Sequence, residues 1–205
     1  LFKFKKIIRE CNYDNTYKMA MAKSLVELSL EINQNGLIRI KLLTIAKKYL
    51  KYYWNQTIFF DLTQGSNLKK TPIILQYTKE LITIFYESIG ENKPIRFERA
   101  EDYLESNLNN EYSICLEKIA NGLSKDVAWR FTFLDGIYND DVYVFNKENK
   151  SIDIFSKNLM CLSDNCEDLF DLINYRWGLI LETFNSSPRI NKKLKLLMNK
   201  ILKEQ

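Results

Sequence analysis

Histidine is absent from this 205-residue chain. Imidazole is the usual general base near neutral pH and the commonest metal ligand. Its absence excludes Ser-His-Asp, Cys-His and His–metal chemistry together. Long apolar runs are absent too: nothing approaches the roughly 20 residues that span a bilayer, so no membrane partner is expected. The opening LFKFKKIIRE has no apolar signal core and no cleavage site, and so does not read as a secretory signal. It also lacks an initiating Met, which leaves room for preceding residues. Cysteine is sparse and scattered, at Cys11, Cys115, Cys161 and Cys166. In a chain of this size without a signal, that usage predicts reduced thiols in a cytoplasm. Cys161 and Cys166 stand in a C-x4-C spacing, but a zinc site adds further Cys or His at regular intervals, so no metal or cofactor is expected in the chain. Internal repeats and low-complexity tracts are missing as well.

What is present is ordinary globular composition, 46% apolar and 27% charged, in a length that suits one generous domain or a domain with a subdomain. Lysine outnumbers arginine 23 to 7 beside abundant Asn, Ile and Tyr. That pattern looks like an AT-rich bacterial genome, so lysine richness alone identifies no partner. The distribution of charge says more. Residues 1–56 hold 11 basic and 4 acidic side chains, 57–97 hold 5 and 4, 98–174 hold 7 and 16, and 175–205 hold 7 and 2. Basic ends flank an acidic middle. Two readings follow: a polyanion-binding surface made from the ends, or solvated helix faces.

The strongest patterning runs from Thr16 to Trp54. Met21, Leu25, Leu28 and Ile32 fall on one helical face, Asn15 or Thr16 can cap it, and Gly36 is a natural stop. Ile38 and Ile40 alternate with Arg39 and Lys41 in a short extended segment. Leu42, Ala46, Tyr49 and Tyr53 mark the next helix, with Lys47, Lys48 and Lys51 off the apolar stripe. Thr71-Pro72 signals a helix start, and Leu75, Thr78, Leu81, Ile82 and Phe85 carry that helix to Gly90. The segment GENKPI (90–95) is the best hinge candidate. Ala100, Leu104 and Leu108 suggest one further helix, and Tyr112, Cys115, Leu116 and Ile119 another. Val127–Leu134 alternates like a strand. Val142–Phe145 and Ile152–Phe155 read as a hairpin around 146–151. Ser163 or Asp164 caps a long helix that breaks at Asn185–Pro188, and a basic helix with Ile190, Leu194, Leu197 and Ile201 closes the chain. A short basic amphipathic helix over Lys3–Glu10 opens it. The fold class expected is mostly α, a multi-helix domain with a small β-hairpin or short sheet in the C-terminal half. Residues 1–90 form a basic helical part and residues 91–205 an α-rich part with the β element, the two joined or continuous.

Several groupings have chemical potential. Asp135, Asp140 and Asp141 precede Glu148-Asn149-Lys150, the Asp…Glu-x-Lys order of metal-dependent nucleases, in which the carboxylates hold Mg²⁺ and the lysine aids the attacking water. That chemistry needs a core strand, and NKENKS reads as a solvated turn. The loop TQGSNLKKTP offers a glycine, hydroxyls, Lys69, Lys70 and a helix start that attracts anions, without the spacing of a P-loop; an ordinary surface loop is the plainer reading. Tyr49, Tyr52, Tyr53 and Trp54 beside Lys47, Lys48 and Lys51 could stack bases and neutralise phosphates, but their helical spacing favours core. Arg189, Lys192, Lys193 and Lys195 on the last helix could contact a nucleic-acid backbone.

TYKMAMAKSLVELSLE (Thr16–Glu31), IAKKYLKYYWNQT (Ile45–Thr57), PIRFERA (Pro94–Ala100) and RWGLILETFNSSPRINKK (Arg176–Lys193) resemble, in the same order, the region N-terminal to the nuclease in bacterial HNH endonuclease-family proteins. The resemblance implies a region that precedes a ββα-metal nuclease module with a catalytic histidine and a divalent ion, in proteins that often act against phage or foreign DNA. No family catalytic residue has a counterpart here, so the divalent metal is expected in that separate module. The function expected is a non-catalytic DNA-docking domain, duplex favoured, with Lys47, Lys48, Lys51, Lys69, Lys70, Arg189, Lys192, Lys193 and Lys195 as contact residues. The alternatives are a homodimerisation or partner-protein module, and a carboxylate–metal nuclease centred on Asp141, Glu148 and Lys150.

Overall fold

The computed structural model describes residues 1–67, 69–91 and 93–186. Its elements in order are α1 (Phe2–Glu10), α2 (Tyr17–Glu31), β1 (Leu37–Lys41), α3 (Leu42–Phe60), α4 (Ile73–Ile89), α5 (Phe97–Asn107), α6 (Asn109–Gly122), a π-helical turn (Leu123–Val127), α7 (Ala128–Phe131), β2 (Phe133–Leu134), β3 (Ile137–Tyr138), β4 (Val144–Asn146), β5 (Ser151–Phe155), α8 (Ser156–Ser163) and α9 (Cys166–Asn185). The protein is mostly α with a small antiparallel sheet. Among the described residues no helix is long and apolar enough to cross a membrane.

The Thr16–Trp54 stretch is the centre of the core. α2 buries Met19, Ala20, Met21, Ala22, Ser24, Leu25, Val26, Leu28 and Ser29, which is burial nearly all round rather than along one stripe, as for a helix enclosed by others. Its two buried serines return their hydroxyls to backbone carbonyls, Ser24 to Ala20 and Ser29 to Val26. α3 buries Tyr49, Leu50, Tyr52, Tyr53 and Trp54. Buried side chains from both segments expected from the sequence, 1–90 and 91–205, belong to one cluster.

The extended segment after α2 is β1, but its partner lies far along the chain. β1 pairs antiparallel with β5, and β5 with β4, in the order β1-β5-β4. Ile38 faces Ile154 and Ile40 faces Ile152, all buried, while Arg39 opposes Asp153 on the outer face. The Arg39 guanidinium donates two hydrogen bonds to the Asp153 carboxylate (2.8 and 2.9 Å) and holds that carboxyl below its ordinary range against the opposing effect of burial.

Four expectations need correction. α2 stops at Glu31, with Ile32 extended; Gly36, in the left-handed region at φ 88°, instead opens β1, where its N–H donates to Ser156 Oγ and its carbonyl accepts from Ser156 N–H. Val127–Leu134 is helical through Phe131, because Val127, Ala128 and Phe131 also share a helical face and all three are buried. The segment 156–163 is the separate helix α8, so Ser163 and Asp164 close it rather than cap the long helix, which Asn165 precedes. Pro72 flanks α4 rather than beginning it. The N-cap of α2 is Thr16, without a side-chain cap hydrogen bond, and the preceding Asn15 accepts the Tyr17 N–H on its Oδ1. Past Gly90, Ile95 is tied on both sides: its carbonyl accepts from Trp54 Nε1 (2.8 Å) and its N–H donates to Tyr86 Oη (3.3 Å).

Candidate nucleic-acid interface

α3 places Lys47, Lys48 and Lys51 on its outer side because the aromatic face is turned inward. The aromatic run is core and not a stacking platform: Tyr49, Tyr53 and Trp54 are fully buried. The three lysines do not face solvent unpaired. Lys47 Nζ lies 2.7 Å from Glu101 and 3.5 Å from Glu105. Lys48 pairs with Glu27 (3.3 Å) and with Glu31, and Lys51 with Glu98 (3.2 Å). Hydrogen bonding to Glu101 raises the Lys47 pKa. Burial acts to raise Glu98, but the α5 backbone, Asn55 and Lys51 outweigh it and hold the carboxyl below its ordinary value. Three ammonium groups therefore meet five carboxylates. Such a face ties α3 to α2 and α5. Ammonium groups already paired with carboxylates neutralise fewer phosphates, and so displace fewer of the counterions condensed on a nucleic acid.

The loop after α3 is tied down at its start. Thr63 exchanges two hydrogen bonds with the Asn185 side chain at the end of α9. Thr16 N–H donates to Gln64 O and Ser66 N–H to Asp14 O. Gly65 lies so close to Pro72 that a Cβ would stand 2.8 Å from its Cγ, so no larger residue fits without a shift. Further on, Asn67 turns the chain, accepting the Lys69 N–H on its side chain and the Lys70 N–H on its carbonyl. Lys69 and Lys70 are exposed and, among the described residues, form no ion pair. The anion-attracting helix start beside them is partly occupied from within, since the Ile74 N–H donates to Tyr17 Oη (2.8 Å).

This loop forms one wall of an open cleft of about 900 Å³. Lys18 of α2, Lys70, Trp129, Arg130 and Phe133 are among the residues that line it. The grouping has no local signature in the sequence, because 128–131 alternates like a strand yet is helical in the fold. Arg130 covers the Trp129 ring at 4.9 Å, Trp129 Nε1 donates to Lys125 O, and Phe133 contacts Tyr138 at 4.9 Å between centroids. Phe133 and Tyr138 are exposed. Four carboxylates also border the cleft: Lys6 pairs with Glu10 and Asp135, and Arg130 with Asp126, which leaves Asp14 against Lys18 and Lys70.

The carboxylate constellation is not assembled. Asp135 and Asp141 are engaged by Lys6 and Lys3 of α1. Glu148 and Lys150 lie in the β4–β5 turn, where Lys150 Nζ donates to Asn121 Oδ1 (2.7 Å). Among the described residues no group of three or more His, Cys, Asp or Glu could hold a metal. The four cysteines are free thiols, and burial pushes Cys115 up to about 12. Arg189, Lys192, Lys193 and Lys195 lie outside the described residues. By sequence, residues 187–205 hold six basic and one acidic side chain, +5 of the chain's +4, so residues 1–186 sum to −1. No protein-family model, curated protein or solved structure matches this chain.

Proposed function

We propose that this chain is a non-catalytic DNA-docking domain of an HNH-type endonuclease from a bacterial defence or restriction-like system, with cleavage carried by a separate metal-dependent module. The observation that supports this reading is the placement of uncommitted positive charge. Lys47, Lys48 and Lys51 are bound up with glutamates, whereas Lys18 of α2 and Lys70 line the same cleft as Trp129 and Phe133, and Lys69 lies beside Lys70 in the loop after α3. The basic run Arg189, Lys192, Lys193 and Lys195 adds four positive charges with no acidic residue between them. Loop lysines and this run together contact the phosphates.

Fluorescence anisotropy with duplex and single-stranded DNA over a salt series tests the reading. The affinity falls steeply with salt, by a log–log slope of about −0.9 for each phosphate contacted on duplex. Glutamine at Lys69, Lys70, Arg189, Lys192, Lys193 and Lys195 removes most of the binding and flattens the slope. Glutamine at Lys47, Lys48 and Lys51 leaves it unchanged. No binding at low salt overturns the proposal.

A second reading, a dimerisation or partner-protein module, rests on a different surface. Leu37 and Phe155 pair at the open end of the sheet, and both are more than half exposed, as is Met160 on α8. Light scattering that gives a dimer, abolished by Phe155→Asp and with no DNA affinity, would favour it.

A further inference from the structure

The dipeptide Asn-Gly occurs twice in the chain, at Asn35-Gly36 and Asn121-Gly122. In this pair the asparagine amide is open to attack by its own backbone, because the following residue has no side chain to crowd its nitrogen. The reaction needs that nitrogen to reach the asparagine Cγ, so the local backbone decides whether it proceeds. The fold gives the two copies opposite surroundings.

Asn121 lies in α6, and Gly122 ends that helix at φ −61° and ψ −42°. The helical path continues into the π-helical turn. A helical backbone points each N–H along the axis to a carbonyl of the preceding turn, away from the neighbouring side chain. Asn121 Oδ1 is also engaged, accepting from Lys150 Nζ (2.7 Å). Gly122 packs on α4, where an added Cβ would stand 3.4 Å from Ile74 Cγ1. Reaction at Asn121 therefore requires the end of α6 to open first.

Asn35 has none of this protection. It is exposed in the irregular segment 32–35 between α2 and β1. Among the described residues neither its backbone nor its side chain forms a hydrogen bond. Gly36 is exposed as well, and its N–H makes a surface contact with one hydroxyl, Ser156 Oγ at 3.1 Å, in place of a helical bond.

We propose that Asn35 is a site of spontaneous covalent modification, converted through a cyclic imide to isoaspartate and aspartate, and that Asn121 is protected. The Gly36 nitrogen attacks Asn35 Cγ and gives up its proton. The Cγ–Nδ2 bond breaks, and the amide nitrogen leaves as ammonia with a proton in place of that bond. One water then opens the ring. Attack at Cγ restores the ordinary main chain with an aspartate. Attack at the Asn35 main-chain carbonyl carbon leaves the chain running through the side chain, as isoaspartate. Nothing is oxidised or reduced, and water is the only reactant consumed.

The position gives the product a structural consequence. Gly36 closes one end of the β1–β5 pairing, where its carbonyl accepts from Ser156 N–H (2.8 Å). Isoaspartate adds one main-chain carbon immediately before it. Either product places a negative charge two positions before the exposed Leu37–Phe155 pair. That end of the sheet loosens as the protein ages, while the buried pairs Ile38–Ile154 and Ile40–Ile152 hold the remainder. None of this depends on DNA binding.

The full chain is aged at mildly alkaline pH beside a sample held unfolded in guanidinium, and both are digested with trypsin. Mass spectrometry follows the peptides 24–39 and 119–125. A protein isoaspartyl carboxyl methyltransferase with labelled S-adenosylmethionine reports isoaspartate in each. In the folded protein the 24–39 peptide gains one mass unit, and fragmentation places the change at Asn35. Conversion there outruns that of Asn121 by more than about tenfold, because α6 must open before Asn121 reacts. In the unfolded sample the two convert at comparable rates. Asn35→Gln, whose longer side chain has to close a larger ring, abolishes methyl uptake by the 24–39 peptide. The Ser156 amide of the aged protein exchanges its hydrogen about tenfold faster than in Asn35→Gln aged in parallel. The proposal is overturned if Asn35 stays intact while the unfolded sample converts, if Asn121 keeps pace with it in the folded protein, or if methyl uptake survives Asn35→Gln. An unchanged Ser156 amide overturns the loosening of the sheet.

Discussion

Tyr49, Tyr52 and Tyr53 occupy neighbouring positions on α3, and all three are buried, yet their hydroxyls differ in circumstance. Tyr49 Oη donates to Tyr17 O. Tyr53 Oη lies 2.8 Å from Thr16 Oγ1, which donates to Gln64 Oε1, and Gln64 Nε2 in turn donates to Gln56 Oε1. On that side of α3 every polar atom feeds the next, and the chain of bonds anchors the 62–67 loop to α2. On the other side the Trp177 N–H and the Tyr52 hydroxyl, which has Glu27 and Ser24 as neighbours, have no partner in good hydrogen-bond geometry among the described residues. Burial raises the pKa of all three phenols, so burial does not distinguish them. Completion does. One side of α3 is a continuous run of hydrogen bonds, and the other leaves two buried polar atoms outside any such run.

The largest effect that could break this contrast comes from the packed side. Trp54→Ala removes a fully buried ring that contacts Phe85 and Phe97, and urea denaturation should show a loss of about 3–5 kcal/mol. Thr16→Val keeps the volume but strands Gln64 and Tyr53; the same measurement should show a loss of about 1–3 kcal/mol. A smaller, pH-dependent effect marks the solvent-facing polar pair for scale. Asp153 has a lowered pKa in the folded protein because Arg39 hydrogen-bonds it. Its contribution is therefore present above the ordinary carboxylate range and lost as pH falls below it. Arg39→Gln should lower the melting temperature near pH 7, with the difference from the parent closing under acid. Tyr52→Phe should have the smallest effect: it leaves stability unchanged or raises it by about 1 kcal/mol or less, because the hydroxyl it deletes is buried with no partner in good geometry among the described residues. A loss as large as that of Thr16→Val would erase the distinction between the two sides.

Much of the fold was readable because long helices carry dense periodic signals. α3, α4, α6 and α9 announced themselves through Leu, Ile, Tyr and Phe at helical intervals, and the 151–155 hairpin strand through its alternation. Shorter pieces were ambiguous: Val127–Phe131 satisfies period two and period 3.6 equally over so few residues. α8 has only Leu159 and Leu162 buried, too little to mark a helix. The candidate sites were less legible for a physical reason. Whether a lysine is free depends on carboxylates from elsewhere in the fold, as with Lys47 and Glu101, which are 54 positions apart by number and 2.7 Å apart in space. The Tyr52–Trp177 contact joins α3 to α9 and has no local sequence signature at all.

The pairing of β1 with β5 also bears on how the protein is made. Leu37 through Lys41 wait for Ser151 through Phe155, so the sheet cannot close until the later strand has left the ribosome. Closing so long a loop carries an entropic cost, and contacts this distant in sequence slow folding. During synthesis β1 is an unpartnered strand edge with Ile38 and Ile40 uncovered, a state open to mispairing. Translation pauses or chaperone capture before residue 155 should therefore affect the yield of native protein more than those after it.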